Sequence, residues 1–319
     1  MKRKMIITHN IADQELSAIK NVLPEWEIIC GKNPEVWKNH LKDAEIIAGW
    51  KKGIEDEIFA NGAKLKWMQS WSAGVNAMPL DAMQEKNIWL TSASGVHAYP
   101  ISETIFALML GLTRKIHTYV KQQQEKIWHH AHMKLEIHQK TIGIIGVGAI
   151  GKETAKIAKA FGMKVLGVRN SGKPDENVDE MYTSAELHTV LPQCDYVVVT
   201  LPLTKETHHL FTAAQFQLMK SSAFFINIGR GEIILEQDLI AALENGEIAG
   251  AGLDVFATEP LPESSPLWKM ENVIITPHTA GSTEHYDKRV IHEILIPNLH
   301  DYLSGTKPTV NLVDYSKGY

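Results

Sequence analysis

Three residues in the carboxyl-terminal half of the chain share one local setting. Arg230 follows the apolar run Phe224–Gly229, Glu259 follows a run that ends near Asp254-Val255, and His278 follows Val273–Pro277. Each run reads as a strand. Each residue therefore stands just past a strand's carboxyl end, in the loops that line the ligand crevice of an open α/β sheet. An arginine, a carboxylate and a histidine gathered there suit the reduction of a 2-oxo acid. The guanidinium holds the substrate carboxylate and polarises the oxo group beside it. The imidazolium delivers a proton to the carbonyl oxygen as hydride reaches carbon, and the carboxylate orients the imidazole and favours its charged form. Taken singly, each has a plainer reading: Arg230 as a phosphate contact, Glu259 as a surface acid before Pro260, His278 as a capping residue.

A hydride carrier has its own signature in Thr141–Phe161. Five residues of β character are followed by Gly146, Gly148 and Gly151 in G-x-G-x-x-G spacing, with Ala149 and Ile150 between the last two. A helical pattern then begins, with Ile150, Thr154, Ile157, Ala158 and Phe161 on one face. Strand, glycine turn and helix together predict dinucleotide binding, with the pyrophosphate at the positive helix end. The next strand, Lys164–Val168, ends at Arg169, with Asn170 and Ser171 following and Lys173 close by. An acid at that point would repel a 2′-phosphate, whereas a guanidinium binds one in bidentate fashion. NADP(H) is thus the preferred cofactor and NAD(H) a possible one. The plainer reading makes Arg169 a surface charge and lets both serve.

The elements that must position these residues follow an alternating rhythm. In the second half, strands are expected at Lys164–Val168, Tyr196–Leu201, Ala223–Ile228, Ile248–Val255 and Asn272–Thr276, with helices such as Thr212–Met219 and Glu236–Asn245 between them. In the first 98 residues the runs Met5–Thr8, Trp26–Cys30, Glu45–Trp50, Leu65–Ser70 and Ile88–Thr91 alternate with helical stretches, including Ala12–Leu23 and Pro34–Lys42. Alternation of this kind implies parallel sheets with helices on both faces. A long helix from about Ile101 to Trp128 joins the two regions, and a helix over Val290–Leu303 is expected to return the chain to the first. The expected domains are residues 1–98 with 288–319, discontinuous and substrate-binding, and residues 99–287, dinucleotide-binding.

One loop of the first region, Ser70–Asn76, follows a strand. Its Ala73, Gly74 and Val75 offer backbone N–H groups to a ligand, and Trp50 at the end of the preceding strand faces the same crevice on that reading. A tight turn and a packed indole are the alternatives. His129, His130, His132 and His138 lie close in sequence, but no Cys or carboxylate stands at ligand spacing, so no metal site is expected. The chain has 319 residues, a net charge of −5 and two distant cysteines, Cys30 and Cys194. The charge gives no electrostatic case for nucleic acid or a membrane surface as partner. No apolar run reaches membrane-spanning length. The apolar run after Lys2-Arg3-Lys4 is too short for a signal-peptide core. With the absence of N-x-[ST] sequons, these features point to a reducing, cytoplasmic setting.

The chain resembles the D-isomer-specific 2-hydroxyacid dehydrogenases that use NAD(P). The resemblance is carried by Gly146–Gly151, Leu201-Pro202-Leu203-Thr204, Asn227–Gly231, Gly252–Phe256 with Glu259–Pro262, and Thr276–Gly281. In the first region it is carried by Ser72–Asn76 and by Gly95–Ala98 with Glu103. It implies two doubly wound parallel-sheet α/β domains, a Rossmann domain and a smaller flavodoxin-like one, with a cleft between them. It implies that Arg230, Glu259 and His278 form the catalytic triad, and that the amides of Ala73, Gly74 and Val75 hold the substrate carboxylate. Ile228, Gly229, Asp254 and Gly281 fall on its cofactor contacts, as do Leu201, Pro202, Thr207 and Ala280; Arg230 and His278 border both cofactor and substrate. A homodimer joined through the dinucleotide domain and the long helix is also implied. Arg169 stands where NAD-using members have Asp, and His97 stands where many have Asn, as in the glyoxylate/hydroxypyruvate reductase branch. That branch makes glyoxylate and hydroxypyruvate the leading substrates. The rivals are a D-3-phosphoglycerate dehydrogenase, disfavoured because Trp50, Trp71 and Met78 make the first-region loops apolar, and a non-enzymatic dinucleotide-sensing protein.

Overall fold

A computed structural model describes residues 2–75 and 77–316. The first five strands are β1 Lys4–Ile7, β2 Glu27–Cys30, β3 Ile46–Ala48, β4 Trp67–Gln69 and β5 Trp89–Thr91. They pair in the order β2-β1-β3-β4-β5, every pair parallel. Parallel strands are buried on both faces, which is why they read as unbroken apolar runs. Alternate residues go to opposite sides. Met5, Ile7, Ile46, Ala48 and Trp67 pack with Ile19 of the helix Asp13–Val22 and Leu299 of the helix Ile296–Leu303. Ile6, Ile47, Met68 and Leu90 pack with Trp37, Leu41, Ile58 and Met83. The strand order turns back between β1 and β3.

The remaining strands are β6 Thr141–Ile145, β7 Lys164–Val168, β8 Glu180–Tyr182, β9 Tyr196–Val199, β10 Phe224–Asn227, β11 Gly250–Leu253 and β12 Val273–Ile275. They form a second all-parallel sheet in the order β12-β11-β10-β9-β6-β7-β8. Here too the faces divide. Ile142, Ile144, Val165, Val198 and Ile226 enter one buried cluster, and Ile145, Leu166, Val197, Phe225 and Leu253 the other. The helix Ala98–Thr113 packs on the first of these faces: its Leu108 lies so close to Gly252 that an added Cβ would sit 2.8 Å from it. The order turns back between β6 and β9.

The chain divides into two compact units, residues 1–96 with 283–319 and residues 97–282. These boundaries fall earlier in the chain than the 98–99 and 287–288 expected from the sequence. Other elements also differ from expectation. The helix expected over 101–128 is two helices, Ala98–Thr113 and Ile116–Glu125, broken at Lys115, whose φ is 54°. The side chains at the break are committed elsewhere: Arg114 Nη1 donates to Leu135 O (2.8 Å) and Lys115 Nζ to Ala131 O (2.6 Å). The stretch 34–42 forms two 3₁₀ turns, Pro34–Val36 and Lys38–Asp43, separated by the buried Trp37, whose Nε1 donates to Gly31 O. In the carboxyl-terminal helix, Val290–Leu295 is wound as a π-turn, next to Pro297, which has no N–H to donate. Strand β8 was not anticipated. It is short and at a sheet edge, with Met181 and Tyr182 packed on the buried clusters, and it is held by an ion pair between Lys164 and Glu180 (2.7 Å). Among the described residues, no helix is long and apolar enough to cross a membrane.

Candidate active site

Arg230, Glu259 and His278 leave the carboxyl ends of three adjacent strands, β10, β11 and β12, all within the unit 97–282. His278 Nδ1 and Glu259 Oε2 are 2.7 Å apart, and Glu259 Oε1 accepts from the Phe256 N–H at 3.0 Å. With Nδ1 donating to the carboxylate, Nε2 is left for chemistry. Burial pushes the Glu259 carboxyl up. The hydrogen bonds from His278 and Phe256, then the charges of His278 and Arg230, outweigh it and hold the carboxyl below its ordinary range. The Arg230 charge is therefore close enough to act on this pair. Its Nη1 donates to Gly229 O (2.7 Å), and its own carbonyl accepts from Asn227 Nδ2 (3.1 Å). All three side chains are exposed on this unit.

His278 takes a left-handed backbone, φ 53°, a conformation that costs about 1–3 kcal/mol away from glycine. Asp254, almost fully buried at the end of β11, holds it there. The Asp254 carbonyl accepts from His278 N (2.9 Å). Its carboxylate accepts from Thr276 Oγ1 (2.5 Å), Thr279 N (3.0 Å) and Ala280 N (3.1 Å). Gly281 closes the same loop through its carbonyl, 2.9 Å from His97 Nδ1.

The glycine turn lies along the same edge. Gly146, φ 116°, packs against the end of β9, where a Cβ would meet Thr200 Oγ1 at 2.9 Å and Leu201 N at 3.0 Å. A Cβ on Gly151 would collide with Gly146 O, so this glycine lets the helix Ala149–Ala160 sit on its strand. At Gly148 a Cβ would meet nothing within 4 Å. The open space there adjoins the first N–H groups of the helix, those of Ala149, Ile150 and Gly151, which meet no acceptor among the described residues. An open cradle of amides at a helix start fits a pyrophosphate. Arg169 follows β7, whose last residue accepts from Gly146 N at 3.0 Å, so the Arg169–Ser171 turn adjoins the glycine loop. Leu201 borders Gly229, where a Cβ would lie 2.7 Å from Leu201 O; Thr207 Oγ1 donates to Pro202 O (2.7 Å) and shapes the loop after β9. Ile228 is buried just before Gly229.

The other expected residues belong to the unit 1–96 with 283–319. Among the described residues the N–H groups of Ala73, Gly74 and Val75 meet no acceptor, in a loop braced by Ser70 Oγ, which donates to Ser72 O (2.9 Å) and accepts from Ser72 N (3.0 Å). Asn76 lies outside the described residues. Trp50 packs against the cluster of Ile6, Ile47 and Met68. Among the described residues no group of three or more His, Cys, Asp or Glu is placed to hold a metal ion.

A family model described as D-isomer specific 2-hydroxyacid dehydrogenase, NAD binding domain, matches residues 106–280. The chain belongs to this family. It is an oxidoreductase with an NAD(P)-binding domain, and relatives extend the likeness across its full length. Glyoxylate/hydroxypyruvate reductase B of Klebsiella pneumoniae is 33% identical over 317 residues, 96% of each chain. A D-isomer specific 2-hydroxyacid dehydrogenase family protein from Aeromonas salmonicida superposes with a TM-score of 0.83 at 34% identity, covering 99% of this chain and all of that one. An NADPH-dependent glyoxylate/hydroxypyruvate reductase from Sinorhizobium meliloti, solved with NADP and sulfate, superposes with a TM-score of 0.80 at 30% identity, with both chains fully covered.

Two features of the structure have no marker in the sequence. The bracing of the His278 loop by Asp254, whose carbonyl accepts from His278 N and whose buried carboxylate accepts from Thr276, Thr279 and Ala280, joins residues far apart in the chain, and no local pattern marks it. Lys51 stands beside Trp50 in a region whose loops look apolar in the sequence, and the structure places this cation on the carboxyl edge of that sheet, 3.5 Å from His9 Nε2.

Proposed function

We propose that this chain reduces small 2-oxo acids, glyoxylate or hydroxypyruvate first among them, to D-2-hydroxy acids at the expense of NADPH. The observation that carries this is the Glu259–His278 hydrogen bond at adjacent strand ends with the Arg230 charge beside it. Relatives named as glyoxylate and hydroxypyruvate reductases support the substrate. In this reading the nicotinamide, when bound, supplies the hydride to the 2-carbon and leaves oxidised. His278 gives its Nε2 proton to the oxo oxygen, completing the hydroxyl group. Glu259, held ionised, stabilises the imidazolium before that transfer. Arg230 binds the 1-carboxylate and polarises the oxo group, and the open amides of Ala73, Gly74 and Val75 hold the carboxylate as well. Trp50 borders the substrate. The residues of the glycine turn take the pyrophosphate, Arg169 with Asn170 and Ser171 takes the 2′-phosphate, and Leu201, Pro202, Thr207, Ile228, Gly229, Asp254, Ala280 and Gly281 border the rest of the cofactor.

Oxidation of NADPH and of NADH with glyoxylate, hydroxypyruvate and pyruvate tests the reading. NADPH is expected to give a kcat/KM at least about tenfold above NADH, and Arg169→Asp to reverse the order, since an acid repels the phosphate that a guanidinium binds. Absence of turnover with every 2-oxo acid, or an NADH preference in the unmodified protein, overturns it. NADH serves as a weaker donor in this reading.

We also infer a homodimer. Ile116, Val120 and Ile127 are half exposed and Trp128 is fully exposed along the helix Ile116–Glu125 and the segment after it. An apolar strip of this kind on a dinucleotide-binding unit suits a second copy of the chain. Cys30 and Cys194 are both free thiols, which agrees with a cytoplasmic location.

A further inference from the structure

In an open parallel sheet, ligands bind beyond the carboxyl ends of the strands where the order turns back. In the five-stranded sheet that point lies between β1 and β3. His9 follows β1, and Lys51 follows β3. Gly49, φ 102°, makes their approach possible, because a Cβ there would lie 2.6 Å from the His9 ring. The tautomer of His9 can be read from its neighbours. Thr8 Oγ1 gives its proton to Gly49 O (3.0 Å), so His9 Nδ1 is the donor in the 3.5 Å contact with Thr8. His9 Nε2 is then free to accept from Lys51 Nζ at 3.5 Å. Burial first, then the Lys51 charge and that of Lys32, push the His9 imidazole down to about 4 against a smaller opposing effect of Asp287, so this acceptor is neutral. The ring lies flat on Trp71, centroids 5.0 Å apart, and Trp71 is itself fixed by Nε1 donating to Asp287 (2.8 Å) and by Tyr286 OH donating to its carbonyl (2.7 Å).

A rigid stack thus holds a half-buried lysine whose partner carries no charge. Among the described residues no carboxylate forms an ion pair with it. Two residues beyond Trp71 begin the open amides of Ala73–Val75, at the end of a strand next to β3. Neighbouring strands lie about 4.8 Å apart, so a cation and an amide cradle share one edge within the length of a short diacid.

We propose that Lys51, aimed by His9, is a specificity-determining residue that binds the second carboxylate of a 2-oxo dicarboxylic acid whose 1-carboxylate rests on the Ala73–Val75 amides. This rests on the reading of the chain as a 2-oxo acid reductase and widens its substrate class beyond glyoxylate and hydroxypyruvate. The geometry favours a carboxylate because a single ammonium on a neutral imidazole answers one negative charge.

The test compares kcat/KM for 2-oxoglutarate and oxaloacetate with that for glyoxylate in the unmodified enzyme and in Lys51→Met, Lys51→Gln and Lys51→Arg. The expected result is a dicarboxylate-to-glyoxylate ratio that falls about tenfold in Lys51→Met and Lys51→Gln, mainly through KM, and recovers in Lys51→Arg. Thermal melts of both neutral variants keep a folding defect apart from a binding one. A ratio unchanged within about twofold in the neutral variants overturns the subsite, as does an unmodified enzyme that reduces glyoxylate but neither dicarboxylate. In both cases the reductase reading stands. Failure of the unmodified enzyme to reduce any 2-oxo acid removes that reading and the subsite with it.

Discussion

His278, the proton donor of the proposed reaction, shows how a single residue is held in place by its surroundings. Its left-handed backbone turns the imidazole toward Glu259, and the Asp254 carboxylate and carbonyl hold the loop in that state. A residue held in this way is pre-positioned, so losing its acid function need not disturb the loop. His278→Asn isolates the function, because Asn tolerates the left-handed region and keeps a polar side chain near Glu259. We expect kcat to fall about 10²- to 10⁴-fold, the usual worth of a general acid, with NADPH affinity within about threefold of the unmodified protein. Stopped-flow reduction and a fluorescence titration of NADPH measure the two; kcat within an order of magnitude removes His278 as the proton donor.

Elements divide their labour by end. The carboxyl ends of the strands carry the open amides, the cations Lys51 and Arg230 and the imidazole–carboxylate pair. The amino ends carry structural ties, of which Glu45 is the clearest. Just before β3, it takes a bidentate pair from Arg3 (2.7 and 3.0 Å), a hydrogen bond from Tyr302 OH (2.6 Å) and an ion pair with Lys66 (3.2 Å). It thereby joins the starts of β1, β3 and β4 to the helix Ile296–Leu303. Burial pushes the Glu45 carboxyl up, but these donors outweigh it and bring it from its ordinary 4.5 to about 2. A depressed carboxyl stabilises the folded state fully above its unfolded value and loses that contribution as pH falls toward the folded one. Stability that depends on Glu45 is therefore present above about pH 4.5 and is lost between there and about pH 2. Thermal melts across that range should fall more steeply for the unmodified protein than for Glu45→Gln, which is expected to melt lower at neutral pH. Parallel slopes would show that the Glu45 network contributes nothing to acid stability.

At the scale of the whole molecule, each of the two units has its own parallel sheet, its own pair of buried clusters and its own point where the strand order turns back. The apolar strip of the second unit, ending in Trp128, is the surface on which we place the second copy. Replacing an exposed Trp with a charge costs little in a monomer, whereas burying that charge in an interface is unfavourable. Trp128→Glu should therefore sediment as a monomer at concentrations where the unmodified protein sediments as a dimer, with its melting behaviour in the monomer intact. A monomeric unmodified protein, or a variant that still dimerises, would exclude this face.

What the sequence by itself determined was local in range. Apolar runs of four to eight residues marked nine strands within a few positions of where they lie, and Thr141–Ile145 and Lys164–Val168 with the same bounds. The glycine spacing after β6 announced its turn, because Gly146 and Gly151 are each demanded by a contact within the motif or its neighbouring strand. The positions of Arg230, Glu259 and His278 beyond strand carboxyl ends were legible because each lies within a few residues of the end of such a run. Tertiary structure alone decided what depends on partners far along the chain. The helix expected over 101–128 breaks at Lys115, since the side chains there bind carbonyls of residues 131 and 135 while the apolar pattern runs on unbroken. Strand β8 exists because β7 offers it an edge and Lys164 an ion pair, and three residues are too short a run to announce it in the sequence. His9, Lys51 and Trp71 carry no shared motif. They meet because parallel pairing sets β1, β3 and β4 side by side, and the backbone hydrogen bonds that do so are invisible in side-chain order.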